Sequence, residues 1–376
     1  MAYIVDLRSD TVTKPTKAMK HAMVNSALGD DVFGEDPTVN ALESKVATLL
    51  GKQAALFVPS GTMANLIAIM VHCNKRGSEA IVGNLSHIFR YEQGGAAHLA
   101  GVQLSTIQNN PDGTFELKEL ERRIRGSDIH EPVTMMVAFE NTHNVCGGKV
   151  IPLDWIDDLS NLCKSHNLTL HMDGARAFSA AAYLNVPIAR IVQNCDSVAI
   201  CFSKNLSAPV GSALVGSYHF IEQARRYRKM LGGGMRQAGV LAAAAIVALD
   251  EIVPKLGIDH KRAQILGKTI QGLFLKNFTV DVEGQHTNIV LVKIDKSSSL
   301  TSGQVLQRLA QVSLTETQGD CKTTNDEGVI VKGVSFDDKT IRLTLHCHID
   351  DEEMWLAIMK ITFVFKELDA AFPITN

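Results

Sequence analysis

An apolar run, Ser197-Val198-Ala199-Ile200-Cys201-Phe202, ends abruptly in Ser203, Lys204 and Asn205. Such a run reads as a buried strand, and its end brings a lysine amine to a sheet edge. A lysine desolvated there has a lowered pKa and can condense with a carbonyl as a Schiff base. A second apolar run, Leu168 to Met172, delivers Asp173, followed by Gly174, Ala175 and Arg176. A buried carboxylate needs a cationic partner, either Arg176 or the protonated ring nitrogen of a ligand. A third segment, Val58-Pro59-Ser60-Gly61-Thr62-Met63-Ala64-Asn65, joins a strand to a helix. Its small residues expose N–H groups at a helix start and its hydroxyls add donors, which suits a phosphate. It lacks the lysine of a P-loop and the glycine spacing of a dinucleotide turn.

Two histidines follow other strands, His87 in Ser86-His87-Ile88-Phe89-Arg90-Tyr91-Glu92 and His143 in Glu140-Asn141-Thr142-His143-Asn144. Either alone reads more readily as structural than as catalytic. Together with Asp173, Lys204 and the Ser60-Gly61-Thr62 turn they fall on one sheet edge, and that convergence defines a candidate site. Pyridoxal phosphate accounts for the set: its phosphate suits Ser60-Gly61-Thr62, its ring nitrogen Asp173, its aldehyde Lys204. Its flat ring needs a stacking face, which His87 can supply.

The elements that must position these groups alternate. Strands are expected at 54–58, 80–82, 102–106, 133–139, 168–172, 197–202 and 211–215, with helices at 61–73, 86–99, 117–125 and 153–165 between them. That alternation predicts βαβ units and a mostly parallel sheet flanked by helices. Asp36-Pro37 marks a helix start and Gly51 its stop. The first fifteen residues read as an extended arm, and one long helix is expected from about 236 to 256. From 258 onward helices and short strands alternate as a smaller α+β domain, with a polar loop over 315–327. The expected organisation is an arm over 1–15, a large domain over 16–257 and a small domain over 258–376.

Bulk composition narrows the function. The 376 residues carry a net charge of −3, with 45% hydrophobic and 20% charged residues. This is a globular chain with no electrostatic case for nucleic acid or an anionic membrane. The apolar run 240–249 is too short to span a bilayer, and the first residues lack a basic n-region and an apolar core. Seven cysteines without a C-x-x-C pair indicate reduced thiols, hence a cytoplasmic setting. No ligand cluster predicts a metal.

The whole chain resembles the low-specificity L-threonine aldolases, which are fold-type I pyridoxal phosphate enzymes. The resemblance runs from Asp6-Leu7-Arg8-Ser9-Asp10-Thr11-Val12-Thr13 to Ile341-Arg342-Leu343. It includes Gly29-Asp30-Asp31-Val32-Phe33-Gly34-Glu35-Asp36-Pro37, the four motifs above, Ser203-Lys204-Asn205-Leu206-Ser207-Ala208-Pro209-Val210-Gly211 and Gly232-Gly233-Gly234-Met235-Arg236-Gln237. The resemblance implies Lys204 as the Schiff-base lysine, Asp173 as the ring-nitrogen partner and His87 as the stacked residue. It implies Ser60, Gly61, Thr62 and Ser203 around the cofactor, with Arg236 added from a neighbouring subunit. Ser9, Arg176 and Arg342 would hold the substrate carboxylate and the cofactor's phenolic oxygen. His143 would lie near the substrate side chain, with Tyr91 and Lys229 at the edge of the site. The family is typically homotetrameric, so the resemblance implies a homotetramer (dimer of dimers) with sites at subunit interfaces. Asn205 stands where the family usually has glycine; asparagine tolerates a left-handed backbone, so the turn is expected to survive.

The activity so implied is retro-aldol cleavage of a β-hydroxy-α-amino acid, giving glycine and acetaldehyde from threonine. The base is His87, His143 or a water they hold. Competing readings are a β-eliminating lyase of the same fold, releasing pyruvate and ammonia, and a cofactor-free scaffold.

Overall fold

The computed structural model describes residues 2–126, 128–318 and 322–374. It divides into two compact units, one of residues 14–254 and one combining 1–13 with 255–376.

The unit of residues 14–254 holds a seven-stranded sheet. Across it lie Ala54–Val58, Ser212–Gly216, Ser197–Cys201, Thr169–Asp173, Val133–Glu140, Ser78–Gly83 and Gln103–Ile107. Ser212–Gly216 runs antiparallel to both of its neighbours, and every other pairing is parallel. Ala54–Val58 is therefore parallel to Ser197–Cys201, so Val58, Gly83, Glu140, Asp173 and Cys201 all end strands at one carboxyl edge. Open α/β sheets bind ligands at that edge. All residues of Ser78–Gly83, Ser197–Cys201 and Ser212–Gly216 are buried, as expected of strands covered on both faces, and most of them are apolar. Leu56, Val58, Ile67, Ala199 and Leu214 share one core with Phe220 and Ile221 of helix Tyr218–Met230.

Helix Pro37–Leu50 starts as its sequence predicts, with the Asp36 carboxylate accepting from Thr38 N at 3.1 Å and Val39 N at 3.0 Å. Other expectations needed correction. The segment 86–99 is not one helix: His87–Arg90 makes a single turn, and Gln93 and Gly94 take positive φ before a wide turn at Ala96–Ala100. The long helix begins only at Gly239 and loses α geometry at Ala248, widening before Pro254. Proline removes an amide donor and crowds the preceding turn. Lys17–Val24 forms a further helix, capped by Thr16, whose side chain accepts from Met19 N.

The second unit has a four-stranded antiparallel sheet, ordered Val334–Asp337, Thr340–Thr344, Ile289–Ile294 and Phe278–Val280. Val334–Asp337 was not foreseen. Tyr3–Asp6 is more than an extended arm, since it pairs in parallel with Val329–Lys332. The closing helix Asp351–Ala371 is capped by Asp350, whose side chain accepts from Glu353 N. The Phe365 ring stacks on Phe278 with centroids 4.1 Å apart. Part of the polar loop over 315–327 lies in a short helix, Leu314–Gln318, and residues 319–321 lie outside the described ones.

Candidate active site

Strand register sets the site. Glu140 pairs with Asp173, and Asp173 with Ala199, two residues before Cys201. The chain beyond Cys201 turns through Ser203 and Lys204, closed by Ser207 N donating to Lys204 O at 2.9 Å. Asn205 does not supply the left-handed residue of this turn. Ser207 does, with φ of 61°, while Asn205 is buried and its amide donates to Ser179 Oγ at 2.6 Å.

Asp173 is 4% exposed, with Oδ1 accepting from Ala175 N and Oδ2 from Asn65 Nδ2 at 2.9 Å. A carboxylate has about four acceptor positions, so Asp173 retains capacity for a ring N–H. Arg176, also buried, heads helix Ala177–Leu184.

Ser60 caps helix Gly61–His72, its Oγ accepting from Met63 N at 3.2 Å. Gly61 and Thr62 are then the leading residues, whose N–H groups have no acceptor inside a helix. A Cβ on Gly61 would lie 2.7 Å from Cys201 Sγ, so glycine lets this helix start approach the strand that carries Lys204. The turn Gly232–Gly234 packs on Met63 in the same first helical turn.

His87 Nδ1 lies 2.8 Å from Glu92 Oε1, and its backbone N–H donates to Glu140 Oε2 at 2.8 Å. The other oxygen of Glu140 accepts from Asn144 N at 2.8 Å, so one carboxylate ties together the loops carrying His87 and His143. Burial alone would lower the His87 pKa, but the Glu92 hydrogen bond and the Asp173 and Glu92 charges outweigh it and raise it. Burial and the charge of Asp173 raise Glu92 as well. The cause is common: two carboxylates buried close together bind protons more tightly. His87, Glu92 and Asp173 bring a nitrogen and two oxygens within 4.8 Å of one another. Lys204 is close enough for its charge to oppose protonation of His87. The Tyr91 ring lies 5.6 Å from that of His87. Both ring nitrogens of His143 are buried and lack a hydrogen-bond partner among the described residues.

Lys229 and Arg236 flank the glycine turn. Arg236 is about half exposed, pairs with Asp30 at 2.9 Å and lies over the Phe33 ring. In the second unit Ser9 caps a short turn, accepting from Thr11 N, and Arg342 Nη2 donates to Arg8 O at 3.0 Å. Asn65, Glu92 and Glu140 were missed as site residues. Asn65 carried the one available signal, a carboxamide within the apolar helix stretch Ala64–Met70.

The carboxyl edge of a mostly parallel sheet, carrying a lysine, an aspartate, a histidine and a helix start, fits a fold-type I α/β enzyme. The beta-eliminating lyase family model matches residues 6–297. The chain is 47% identical over 353 residues to the probable low-specificity L-threonine aldolase 2 of Arabidopsis thaliana, covering 93% of this chain and 94% of that one. It is 44% identical over 304 residues to the low specificity L-threonine aldolase of Escherichia coli K12, covering 81% and 89%. The solved threonine aldolase of Leishmania major shares the fold, with a TM-score of 0.75 at 21% identity, covering 97% and 99%. The chain belongs to the beta-eliminating lyase family and, within it, to the low-specificity L-threonine aldolases.

Proposed function

We propose that this chain is a pyridoxal phosphate-dependent aldolase that cleaves L-threonine and L-allo-threonine to glycine and acetaldehyde. The observation that carries the reading is the convergence of Asp173, Lys204, His87 and the Ser60 helix start at one carboxyl edge. The residues suit the cofactor: Gly61 keeps the helix start open, and Asp173 has room for one more donor. Lys204 would hold it covalently, Asp173 at its ring nitrogen, His87 on its face, and Ser60, Gly61, Thr62, Ser203 and Arg236 at its phosphate. When bound, pyridoxal phosphate supplies an electron-withdrawing ring that accepts the electron pair of the broken Cα–Cβ bond.

The chain's own residues do the rest. Arg176 would hold the substrate carboxylate or the cofactor's phenolic oxygen, which orients the bond to be broken. The β-hydroxyl proton goes to His87 or to a water it holds. Glu92 fixes that ring through Nδ1, leaving Nε2 for the exchange. His143 offers ring nitrogens with no partner among the described residues, well suited to a substrate hydroxyl or a water. Tyr91 and Lys229 border the opening.

The enzyme works as a homotetramer in the cytoplasm, with Arg236 reaching the phosphate of a neighbouring subunit. This reading is supported by exposed apolar groups beside these residues, Phe33 at 73% and Tyr91 at 47%. Among the described residues no helix is long and apolar enough to cross a membrane. Incubation of both threonine diastereomers with the protein, with and without added pyridoxal phosphate, should yield glycine and acetaldehyde in equal amounts. 2-Oxobutanoate and ammonia instead would move the assignment to β-elimination, which is the activity the family model is named for.

A further inference from the structure

Behind Asp173 a file of buried polar groups runs away from the site. Asn65, 1% exposed, gives its two Nδ2 hydrogens to Asp173 Oδ2 at 2.9 Å and Glu92 Oε1 at 2.8 Å. Its Oδ1 lies 3.0 Å from His171 Nε2. His171 Nδ1 lies 2.8 Å from Ser197 Oγ, which lies 2.7 Å from His72 Nε2.

The carboxylates set the direction of these bonds at Asn65. Two carboxylates accept only, so the Asn65 amine must face them and its carbonyl must face His171. His171 must then carry its proton on Nε2 and accept at Nδ1 from the Ser197 hydroxyl. Ser197 in turn accepts from His72 Nε2–H. Burial pushes His171 down to about 3 and His72 down to about 4, so both rings are neutral and each carries one ring proton. Were His171 to take the other tautomer, the Asn65 carbonyl would face a lone pair and a flipped amide would face two carboxylates. Neither arrangement is tolerable in a buried site.

We infer that Asn65, locked by the His171–Ser197–His72 file, is a positioning residue that sets both Asp173 and the Glu92–His87 pair. One amide thus aligns two groups on which the proposed chemistry depends, the ring-nitrogen acceptor and the histidine opposite. The inference rests on the cofactor reading given above. The groups facing the Glu92–His87 pair are Asp173 and Lys204, with Asn65 as its neutral donor.

Asn65→Leu tests it, because leucine keeps the four-heavy-atom outline of asparagine, branched at Cγ, and has neither donor. With threonine, kcat should fall about 100-fold while KM changes by no more than about threefold, the signature of misaligned chemistry. Glu92 loses a donor, so the Glu92–His87 pair should hold its proton to higher pH and the acid limb of kcat/KM should move upward. A packing role would leave that limb in place. An unchanged kcat and pH profile in folded Asn65→Leu would overturn the inference.

If Asn65→Leu does not fold, His171 decides. His171→Gln keeps an N–H donor toward Asn65 and should remain within about tenfold of the wild-type kcat, whereas His171→Leu should lose about 100-fold. Equal activities for the two would count against the file. Apart from turnover, nitrogen-15 NMR of cofactor-free protein with labelled histidine should show neutral His171 protonated at Nε2 at pH 6. A Nδ1–H or charged ring there contradicts the file directly. Wild-type protein that passes the NMR test yet releases no glycine would place the failure in the cofactor reading instead.

Discussion

His87 and Glu92, five residues apart, form a 2.8 Å contact between imidazole Nδ1 and carboxylate Oε1 at the mouth of the sheet. The contact fixes which ring nitrogen faces outward and holds the His87 pKa above its ordinary value against the opposing effect of burial. A histidine that must be neutral to take a proton is then active only above that raised pKa. Glu92→Gln should therefore shift the acid limb of kcat/KM to lower pH, while loss of orientation reduces kcat about tenfold or more. A limb that stays in place would point to His143 or another base.

A second pH effect belongs to the unit built from the chain ends. Burial pushes the Asp259 carboxyl up to about 7 from 3.8; Arg262 opposes this and Asp10 adds to it. The folded state binds this proton more tightly than the unfolded state, so stability falls as pH rises from about 4 to about 7. At about 1.4 kcal/mol per pH unit the ceiling is on the order of 4 kcal/mol. Asp259→Asn should raise the melting temperature at pH 8 by a few degrees, with the gain vanishing toward pH 4. Equal gains at both pH values would show that charge is not the cause.

The buried imidazoles act in the opposite sense. His72 and His171, lowered by burial to about 4 and about 3, resist a proton that the unfolded chain takes near 6.5. Their contribution is complete above pH 6.5 and is lost as pH falls toward 4. Thermal melts between pH 7 and pH 4.5 should show this decline. It should be shallower in His72→Phe, which keeps a ring stacked on Phe220.

Gly61→Ala probes the helix start. The added carbon would lie 2.7 Å from Cys201 Sγ, so the helix must retreat from the lysine-bearing strand. A stability loss of about 1–3 kcal/mol is expected, together with weaker pyridoxal phosphate binding in a fluorescence titration. Wild-type affinity would mean that the phosphate is held elsewhere.

Lys204, Asp173 and Ser60 were legible in the sequence because each stands where an apolar strand ends, and a parallel sheet brings strand ends to one edge. Asn65 and Glu92 were not. Their roles come from side-chain contacts between residues 27 and 108 positions apart, which local pattern cannot encode. Gln93 and Gly94, both at positive φ, break the expected helix over 86–99, and the break lets Glu92 return to His87. The pairing of Tyr3–Asp6 with Val329–Lys332 was hidden for the same reason.

The most direct test of the central claim compares wild type with Lys204→Ala, both supplied with pyridoxal phosphate and L-threonine. Wild type should release glycine and acetaldehyde in equal amounts, and borohydride should fix the cofactor to the peptide that carries Lys204. Lys204→Ala should show neither the products nor the fixed peptide. Full cleavage activity in Lys204→Ala, or fixation at a different lysine, would contradict the account.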